Sequence, residues 1–282
     1  MADLELISQH RCFGGWQRYY RHVSAQIGLS MRFSVYIPPQ AEQGRVPTLF
    51  YLAGLTCTEE TFMIKGGAQR LAAEYGLMLV APDTSPRGAG IAGEDQDWDF
   101  GTGAGFYVDA TAEPWRAHYR MESYVADELY GIATTDLPGD AERTGIFGHS
   151  MGGHGALVLA LRHPGRFRSV SAFAPIAAPT RSPWGRKAFS GYLGPNPDTW
   201  KAYDASEIMA GSSQPFPHGI LVDQGLADGF LAEQLHPEAF EQACLKAGQP
   251  LTLRRHDDYD HGYYFISTFM QDHLRFHADQ YT

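Results

Sequence analysis

The sequence lacks any long hydrophobic run. No stretch approaches the roughly 18 consecutive apolar residues that a membrane-spanning helix needs, so we expect a soluble protein without a membrane partner. The first residues also lack the basic start and the apolar segment of a secretory signal. These two absences predict a cytoplasmic protein.

Cysteine and positive charge are both scarce. The three cysteines, Cys12, Cys57 and Cys244, are an odd number without metal-ligand spacing, so neither a disulfide framework nor a metal site is expected. The 22 Lys and Arg residues against 32 Asp and Glu residues give a formal net charge of −10. Because nucleic acids are bound by basic patches, this balance argues against a nucleic-acid partner.

Strand-like apolar runs alternate with helix-like stretches along the 282 residues. This alternation predicts an α/β fold: a mostly parallel central sheet with helices on both faces and antiparallel strands near the amino terminus. We expect residues 1–282 to form one domain. The strand-like runs are residues 31–37, 48–53, 77–81, 144–147, 169–173, 220–222 and 251–255. The helix-like stretches are residues 67–75, 123–134, 153–162, 237–247 and 266–277. Two stretches between them, residues 83–115 and 175–203, are expected to be irregular.

Residues 148–152 read Gly-His-Ser-Met-Gly, between a strand-like run and a helix-like run. A serine on a sharp strand-to-helix turn presents its hydroxyl outward, and such a turn leaves no room for side chains two residues away. The pattern therefore predicts a nucleophile elbow at Ser150, although so short a motif also occurs in ordinary turns.

A serine hydroxyl needs a histidine base, and the histidine needs a carboxylate to hold its tautomer. In an α/β-hydrolase these groups follow the serine in the order acid, then histidine. Asp228 and His261 fit this order, each in a loop behind a late strand. Asp223 and His256 are the alternatives, but each lies nearer its strand.

An oxyanion hole needs two backbone N–H donors, one from the residue after the serine and one from the loop after an early central strand. These positions are Met151 and Leu55. Residues 54–58 also suit a polar turn that caps the next helix through Thr58 and Glu60, and one loop can serve both purposes.

The glycine-rich residues 101–109 superficially match a dinucleotide fingerprint. Such a fingerprint must follow a strand and open a helix, and here no helix is expected behind it. We therefore expect no cofactor.

Taken together, these motifs resemble those of the S-formylglutathione hydrolases, the esterase D family. The resemblance is carried by residues 52–60, 103–111, 148–155, 183–185, 187–189, 191–194 and 259–261. It implies a catalytic triad of Ser150, Asp228 and His261. It also implies hydrolysis of S-formylglutathione to glutathione and formate in formaldehyde detoxification, and a homodimer. Gly262 and Ser182 depart from the family pattern, which often has serine and cysteine there.

Four further residues are candidates for substrate binding. Cys57 matches a family cysteine in the oxyanion loop, with a small buried hydrophobic residue as the alternative. Trp98 and Trp184, in the two long loops, are candidate walls of the acyl pocket or glutathione groove, or plain packing residues. Lys187 is a candidate partner for a glutathione carboxylate, or a solvated surface charge.

The same triad would also serve a broad short-chain carboxylesterase or an acyltransferase, because a fold does not determine a substrate. A non-catalytic, hydrolase-like binding protein is the remaining alternative. The intact order of serine, acid and histidine argues against it.

Overall fold

The computed structural model of the protein describes residues 3–281, and within that range nine strands form one sheet. The strands are β1 (Glu5–Cys12), β2 (Gly15–Val23), β3 (Ser30–Ile37), β4 (Val46–Leu52), β5 (Met78–Pro82), β6 (Gly139–His149), β7 (Ser169–Phe173), β8 (Ile220–Gly225) and β9 (Leu251–His256). Their spatial order is β1-β2-β3-β5-β4-β6-β7-β8-β9. The pairs β1–β2, β2–β3 and β3–β5 are antiparallel, and all later pairs are parallel.

Helices connect and cover the strands. They are α1 (Glu59–Lys65), α2 (Gln69–Tyr75), α3 (Met121–Ser123, continued by the π-helical turns Tyr124–Leu129 and Ile132–Asp136), α4 (Met151–Arg162), α5 (Pro183–Tyr192), α6 (Pro197–Trp200), α7 (Ala205–Gly211), α8 (Pro237–Ala247) and α9 (Tyr263–Ala278). Every residue of β5, β7 and β8 is buried. Because successive side chains point to opposite faces of a sheet, this burial requires cover on both faces. The predicted fold class is confirmed.

All seven strand-like runs and all five helix-like stretches coincide with elements of the structure, within a few residues at their ends. The hairpin of β1 and β2 was not predicted. No residue of β1 is fully buried, so this strand carries no alternating apolar signal. The expectation of an irregular segment at residues 175–203 was wrong in part, because it contains α5, which begins at Pro183 and buries Trp184 and Phe189.

The parallel strands β6, β8 and β9 place their carboxyl ends on the same edge of the sheet. In open α/β sheets, ligands bind outside this edge. The loops that follow these three strands carry Ser150, Asp228 and His261.

Candidate active site

Ser150 stands alone between the end of β6 and the start of α4, with backbone angles φ 57° and ψ −119°. Few side-chain-bearing residues adopt a positive φ, so the turn needs tight support. The Ser150 N–H donates to the carbonyl of Phe173 over 3.0 Å. A Cβ on Gly152 would lie 1.9 Å from the Leu52 carbonyl oxygen, and one on Gly148 would lie 2.2 Å from the carbonyl of Gly152. The two glycines are therefore required by direct backbone contact.

His261 contacts Asp228 in the loops behind β9 and β8. Nδ1 of His261 lies 2.5 Å from Oδ2 of Asp228. The other oxygen, Oδ1, accepts a hydrogen bond of 2.8 Å from the Phe230 N–H, and Gln224 donates to Oδ2 over 3.3 Å. An ionised carboxylate only accepts hydrogen bonds, so Nδ1 carries the proton and Nε2 of the neutral ring is left as an acceptor.

The two loops are packed backbone to backbone. The Ala227 N–H donates to the Tyr259 carbonyl over 2.9 Å. A Cβ on Gly225 would lie 2.3 Å from that same carbonyl oxygen, so only glycine allows this approach. Main-chain contacts thus hold the two loops that carry Asp228 and His261 close together.

The alternative acid and base occupy a different environment. The side chain of Asp223 is fully buried and accepts two hydrogen bonds of 2.6 Å from Arg254. Burial opposes the charge, but hydrogen bonds from His273 and Arg254 overcome it and lower the pKa of Asp223 to about 2. His256 stacks on Phe269 with ring centroids 3.8 Å apart, and its Nε2 lies 3.4 Å from Asp223. This pair therefore belongs to a buried ionic cluster.

The loop at residues 54–58 passes directly beside Ser150. A Cβ on Gly54 would lie 3.3 Å from Cβ of Ser150. The Thr56 N–H donates to the Gly103 carbonyl and the Cys57 N–H donates to the Gly54 carbonyl, at 2.9 and 3.3 Å. The N–H of Leu55 takes part in neither bond. Met151 is the first residue of α4, so its N–H has no partner within the helix.

The same loop caps α1, as expected, but with a different partner. The Thr58 side chain accepts a hydrogen bond from the Glu60 N–H, and the Thr61 side chain accepts one from the Thr58 N–H over 3.0 Å. The reciprocal capping residue is therefore Thr61, and Glu60 contributes only its backbone. The sequence pattern misled because threonine supplies the same acceptor as a glutamate.

Three supports of this loop were not identified from the sequence. The Gly103 carbonyl accepts the hydrogen bond from the Thr56 N–H. A Cβ on Gly103 would lie only 3.2 Å from the Thr56 Cα. Thr84 donates to the Cys57 carbonyl over 2.6 Å, and the Tyr107 hydroxyl donates to the Ala53 carbonyl over 2.9 Å. The glycine-rich stretch at residues 101–109 thus packs against the loop at residues 54–58.

Cys57 lies half-buried at the edge of the site. Burial raises the pKa of its thiol, although hydrogen bonds with Thr61 and Tyr263 act in the opposite direction. The hydroxyl of Tyr263 lies 3.4 Å from that of Tyr51. The thiol is therefore a neutral group within the loop at residues 54–58.

His149, the residue before Ser150, packs against His261. Its ring centroid lies 4.4 Å from that of His261, and the side chain is buried. Burial, with a smaller contribution from His261, holds the pKa of His149 well below its usual value. His149 therefore stays neutral at pH 7 beside His261.

Aromatic rings form a row that ends at His261. Trp98 meets Trp184 edge to face with centroids 5.5 Å apart, Trp184 contacts Phe230 at 4.8 Å, and Phe230 contacts His261 at 5.0 Å. The structure thus brings Trp98 and Trp184 together on one side of the site. Phe230 was not identified from the sequence, because a single phenylalanine in a loop carries no pattern.

Lys187 is engaged by two carboxylates. Its Nζ lies 2.9 Å from Asp97 and 2.5 Å from Asp99. Burial opposes its charge, but hydrogen bonds to Asp99 and Asp97 prevail and raise the pKa of Lys187. Its positive charge is therefore already balanced within the protein.

Both departures from the family pattern have local structural roles. The Ser182 side chain is buried and caps α5 by accepting a 3.0 Å hydrogen bond from the Gly185 N–H. Gly262 precedes α9, and its N–H donates to the Asp260 carboxylate over 2.9 Å. Within residues 3–281, no cluster of three metal-ligating side chains is present and no helix is long and apolar enough to cross a membrane.

Comparison with known proteins identifies the family of this chain. A model of the esterase family, described as "Putative esterase", matches residues 24–276. The chain is 55% identical to the S-formylglutathione hydrolase of Mus musculus over 276 residues, covering 98% of each chain. It is 51% identical to the S-formylglutathione hydrolase of Paracoccus denitrificans, again over 98% of each chain. The chain belongs to the S-formylglutathione hydrolase family.

A solved S-formylglutathione hydrolase structure has the same architecture. The enzyme from Agrobacterium tumefaciens superposes with a TM-score of 0.95 at 48% identity, covering 99% of this chain and all of that one. The family membership expected from the motifs is therefore confirmed in both sequence and fold.

Proposed function

We propose that the protein hydrolyses S-formylglutathione to glutathione and formate through a formyl-serine intermediate. The observation that carries this proposal is the 2.5 Å contact between His261 and Asp228 at the edge of the sheet where Ser150 is presented. The substrate follows from membership of a family whose relatives, at 51 to 55% identity, are named S-formylglutathione hydrolases.

In the first half-reaction, His261 Nε2 takes the proton of the Ser150 hydroxyl as Oγ attacks the formyl carbon. Asp228, bonded to Nδ1, holds the ring in the required tautomer and stabilises the imidazolium. The carbon–sulfur bond then breaks, and the sulfur takes the proton from His261 and leaves as the thiol of glutathione. The formyl group stays on Ser150 as an ester.

In the second half-reaction, a water molecule replaces the thiol. His261 takes one proton from the water as its oxygen attacks the formyl ester. Collapse of the intermediate breaks the bond to Ser150 Oγ, which recovers its proton from the histidine. The products are formic acid, ionised at neutral pH, and the free enzyme.

Both half-reactions pass through a tetrahedral intermediate with a negative oxygen. We assign its stabilisation to the N–H groups of Leu55 and Met151. Gly54, next to Leu55, contacts Ser150, and Met151 opens α4, whose amino-terminal dipole favours negative charge. One such donor is worth about 100-fold to 1,000-fold in rate.

The test is steady-state hydrolysis of S-formylglutathione beside phenyl acetate, with Ser150→Ala and the matched control Ser267→Ala, an exposed serine on α9. We expect a kcat/KM for the thioester orders of magnitude above that for the ester. Ser150→Ala should lose about a million-fold in kcat, while Ser267→Ala should keep full activity. Equal or better hydrolysis of phenyl acetate would indicate a general esterase instead, and a Ser150→Ala activity close to that of the wild type would exclude the assigned nucleophile.

We further propose a cytoplasmic homodimer. The location is supported by three free thiols, Cys12, Cys57 and Cys244, which suit a reducing compartment. The dimer rests on family resemblance. Light scattering during size-exclusion chromatography tests it, and a mass of about one chain would exclude it.

A further inference from the structure

The loop at residues 97–99 contacts α5 at three consecutive positions. Asp97 and Asp99 flank Lys187 with oxygens 2.9 and 2.5 Å from its Nζ. Between them, Trp98 meets Trp184 edge to face. Trp184 and Lys187 are three residues apart in α5 and therefore lie on the same face of the helix.

The next residue, Phe100, anchors the loop in the core. Its ring stacks on Tyr192 with centroids 4.6 Å apart and meets Trp115 at 4.7 Å. A Cβ on Gly191 would lie 2.3 Å from the Phe100 ring. Trp98, in contrast, is 56% exposed, so its position depends on Trp184 and on the two ion pairs beside it.

The row of rings indicates what Trp98 faces. The thiol leaving group receives its proton from His261, so it must lie beside that histidine. From His261 the row passes through Phe230 and the buried Trp184 to the exposed Trp98, with successive ring centroids 5.0, 4.8 and 5.5 Å apart. A tripeptide thiol is long enough to follow this row, whereas the leaving group of a small ester is not.

We propose that Asp97, Asp99 and Lys187 form a clasp that holds Trp98 on Trp184 as the outer wall of the groove for the thiol leaving group. This inference rests on the proposed function, because the leaving group is the thiol of glutathione. The three clasp residues are positioning residues and do not contact the substrate. One ammonium between two carboxylates leaves the clasp with a net negative charge, which disfavours direct binding of a glutathione carboxylate by Lys187.

The two roles for Lys187 predict opposite effects of removing its acidic partners. In the clasp, Asp97→Asn with Asp99→Asn weakens the hold on Trp98 and impairs the enzyme, as Lys187→Met does. If Lys187 instead bound a carboxylate of glutathione, the same two changes would free its charge, remove repulsion and improve binding.

The experiment measures kcat and KM for S-formylglutathione and for phenyl acetate in Lys187→Met, the Asp97→Asn/Asp99→Asn double variant, Trp98→Ala and the Trp98→Ala/Lys187→Met double variant. We expect the first three to raise KM for S-formylglutathione about threefold to tenfold, the scale of one lost aromatic contact. The value of kcat should change less than about twofold, and phenyl acetate hydrolysis should not change, because chemistry at His261 is untouched.

The coupling between the residues is the decisive readout. Because Lys187 acts through Trp98, adding Lys187→Met to Trp98→Ala should produce no further loss. Lys187→Arg keeps the positive charge, so its KM for S-formylglutathione should be close to that of the wild type. The matched control is Lys201→Met, which removes a similar exposed ion pair, Lys201 to Asp198 at 2.8 Å, and should have no effect.

Three results would overturn the clasp. The first is a lower KM in the Asp97→Asn/Asp99→Asn variant. The second is full additivity of the effects of Trp98→Ala and Lys187→Met on KM. The third is a KM that is unchanged in every variant although the wild-type protein hydrolyses S-formylglutathione. Failure of the wild-type protein to hydrolyse that thioester would overturn the proposed function and the clasp together. An active wild-type protein with any of the three results above would overturn the clasp alone.

Discussion

Arg254 binds Asp223 through two parallel hydrogen bonds, with Nε and Nη2 each donating to a separate carboxylate oxygen over 2.6 Å. The two residues are direct neighbours in the parallel pairing of β8 and β9. Five residues beyond Asp223, Asp228 meets His261 instead. The two aspartates thus have separate environments, one ionic and internal, the other at the site.

We predict that replacing each aspartate by asparagine separates stability from activity. Asp228→Asn should lower kcat by about 10,000-fold, because the wrong histidine tautomer is favoured. Asp223→Asn should lower the free energy of unfolding by about 3 kcal/mol, since it leaves part of a buried ionic cluster unpaired. Urea unfolding and kcat measured on both variants test this. A stable but inactive Asp223→Asn would reverse the assignment.

Gly152→Ala is expected to disrupt the elbow. The new methyl group would meet the Leu52 carbonyl oxygen at 1.9 Å, so backbone must move, at a cost of about 2 to 3 kcal/mol. Activity should fall with it because Ser150 is displaced. The control is Gly131→Ala, in the helical residues between the two π-helical turns that continue α3, where a Cβ meets no atom within 4 Å. Helix propensity predicts a gain of about 0.5 to 1 kcal/mol there, and equal losses in both variants would contradict the steric argument.

Stability should fall in mild acid because of buried His154. Burial lowers its pKa from 6.5 to about 4, although its Nε2 lies 3.0 Å from the Phe106 carbonyl. Between these values the unfolded chain binds a proton that the folded protein does not, so the contribution is complete above pH 6.5 and is lost towards pH 4. The loss from this residue is about 3 kcal/mol.

Urea unfolding between pH 7 and pH 4.5 measures this loss. His154→Gln, whose amide can also donate to Phe106, should reduce the pH dependence by about one proton. The same pH dependence in the variant and the wild type would show that His154 does not contribute.

Alkylation should inactivate the enzyme through Cys57, and only slowly at neutral pH. Its raised pKa leaves little thiolate at pH 7, so inactivation by iodoacetamide should accelerate strongly above pH 9. The added group would crowd the loop that carries Leu55. Cys57→Ser should resist inactivation and Cys12→Ser should not, and equal sensitivity of the two variants would place the critical thiol elsewhere.

The parallel core and the elbow were predictable because each is encoded by a local pattern. Buried parallel strands appear as short apolar runs. In the elbow, backbone atoms lie so close to residues 148 and 152 that only glycine fits at either position. β1 was not predictable in this way, because its residues are exposed and its pairing with β2 is all that defines it.

Spacing alone did not distinguish the acid and the base from their alternatives. Asp223 and His256 are separated by 33 residues, as are Asp228 and His261. Both pairs meet because β8 and β9 are parallel and in register. Only the fold shows that both carboxylate oxygens of Asp223 accept hydrogen bonds from Arg254. The partners of Lys187 were equally out of reach, since Asp99 lies 88 residues away in the chain.

The order of the strands has a bearing on how the enzyme is made. A ribosome releases β6 and Ser150 well before the last two strands, whose loops carry Asp228 and His261. Until β9 joins the sheet, Ser150 lacks its proposed base, His261, and a serine hydroxyl without a base is a weak nucleophile. With the proposed roles, Ser150, Asp228 and His261 come together only once β9 has docked, so we expect the chain to gain hydrolytic activity late in its synthesis.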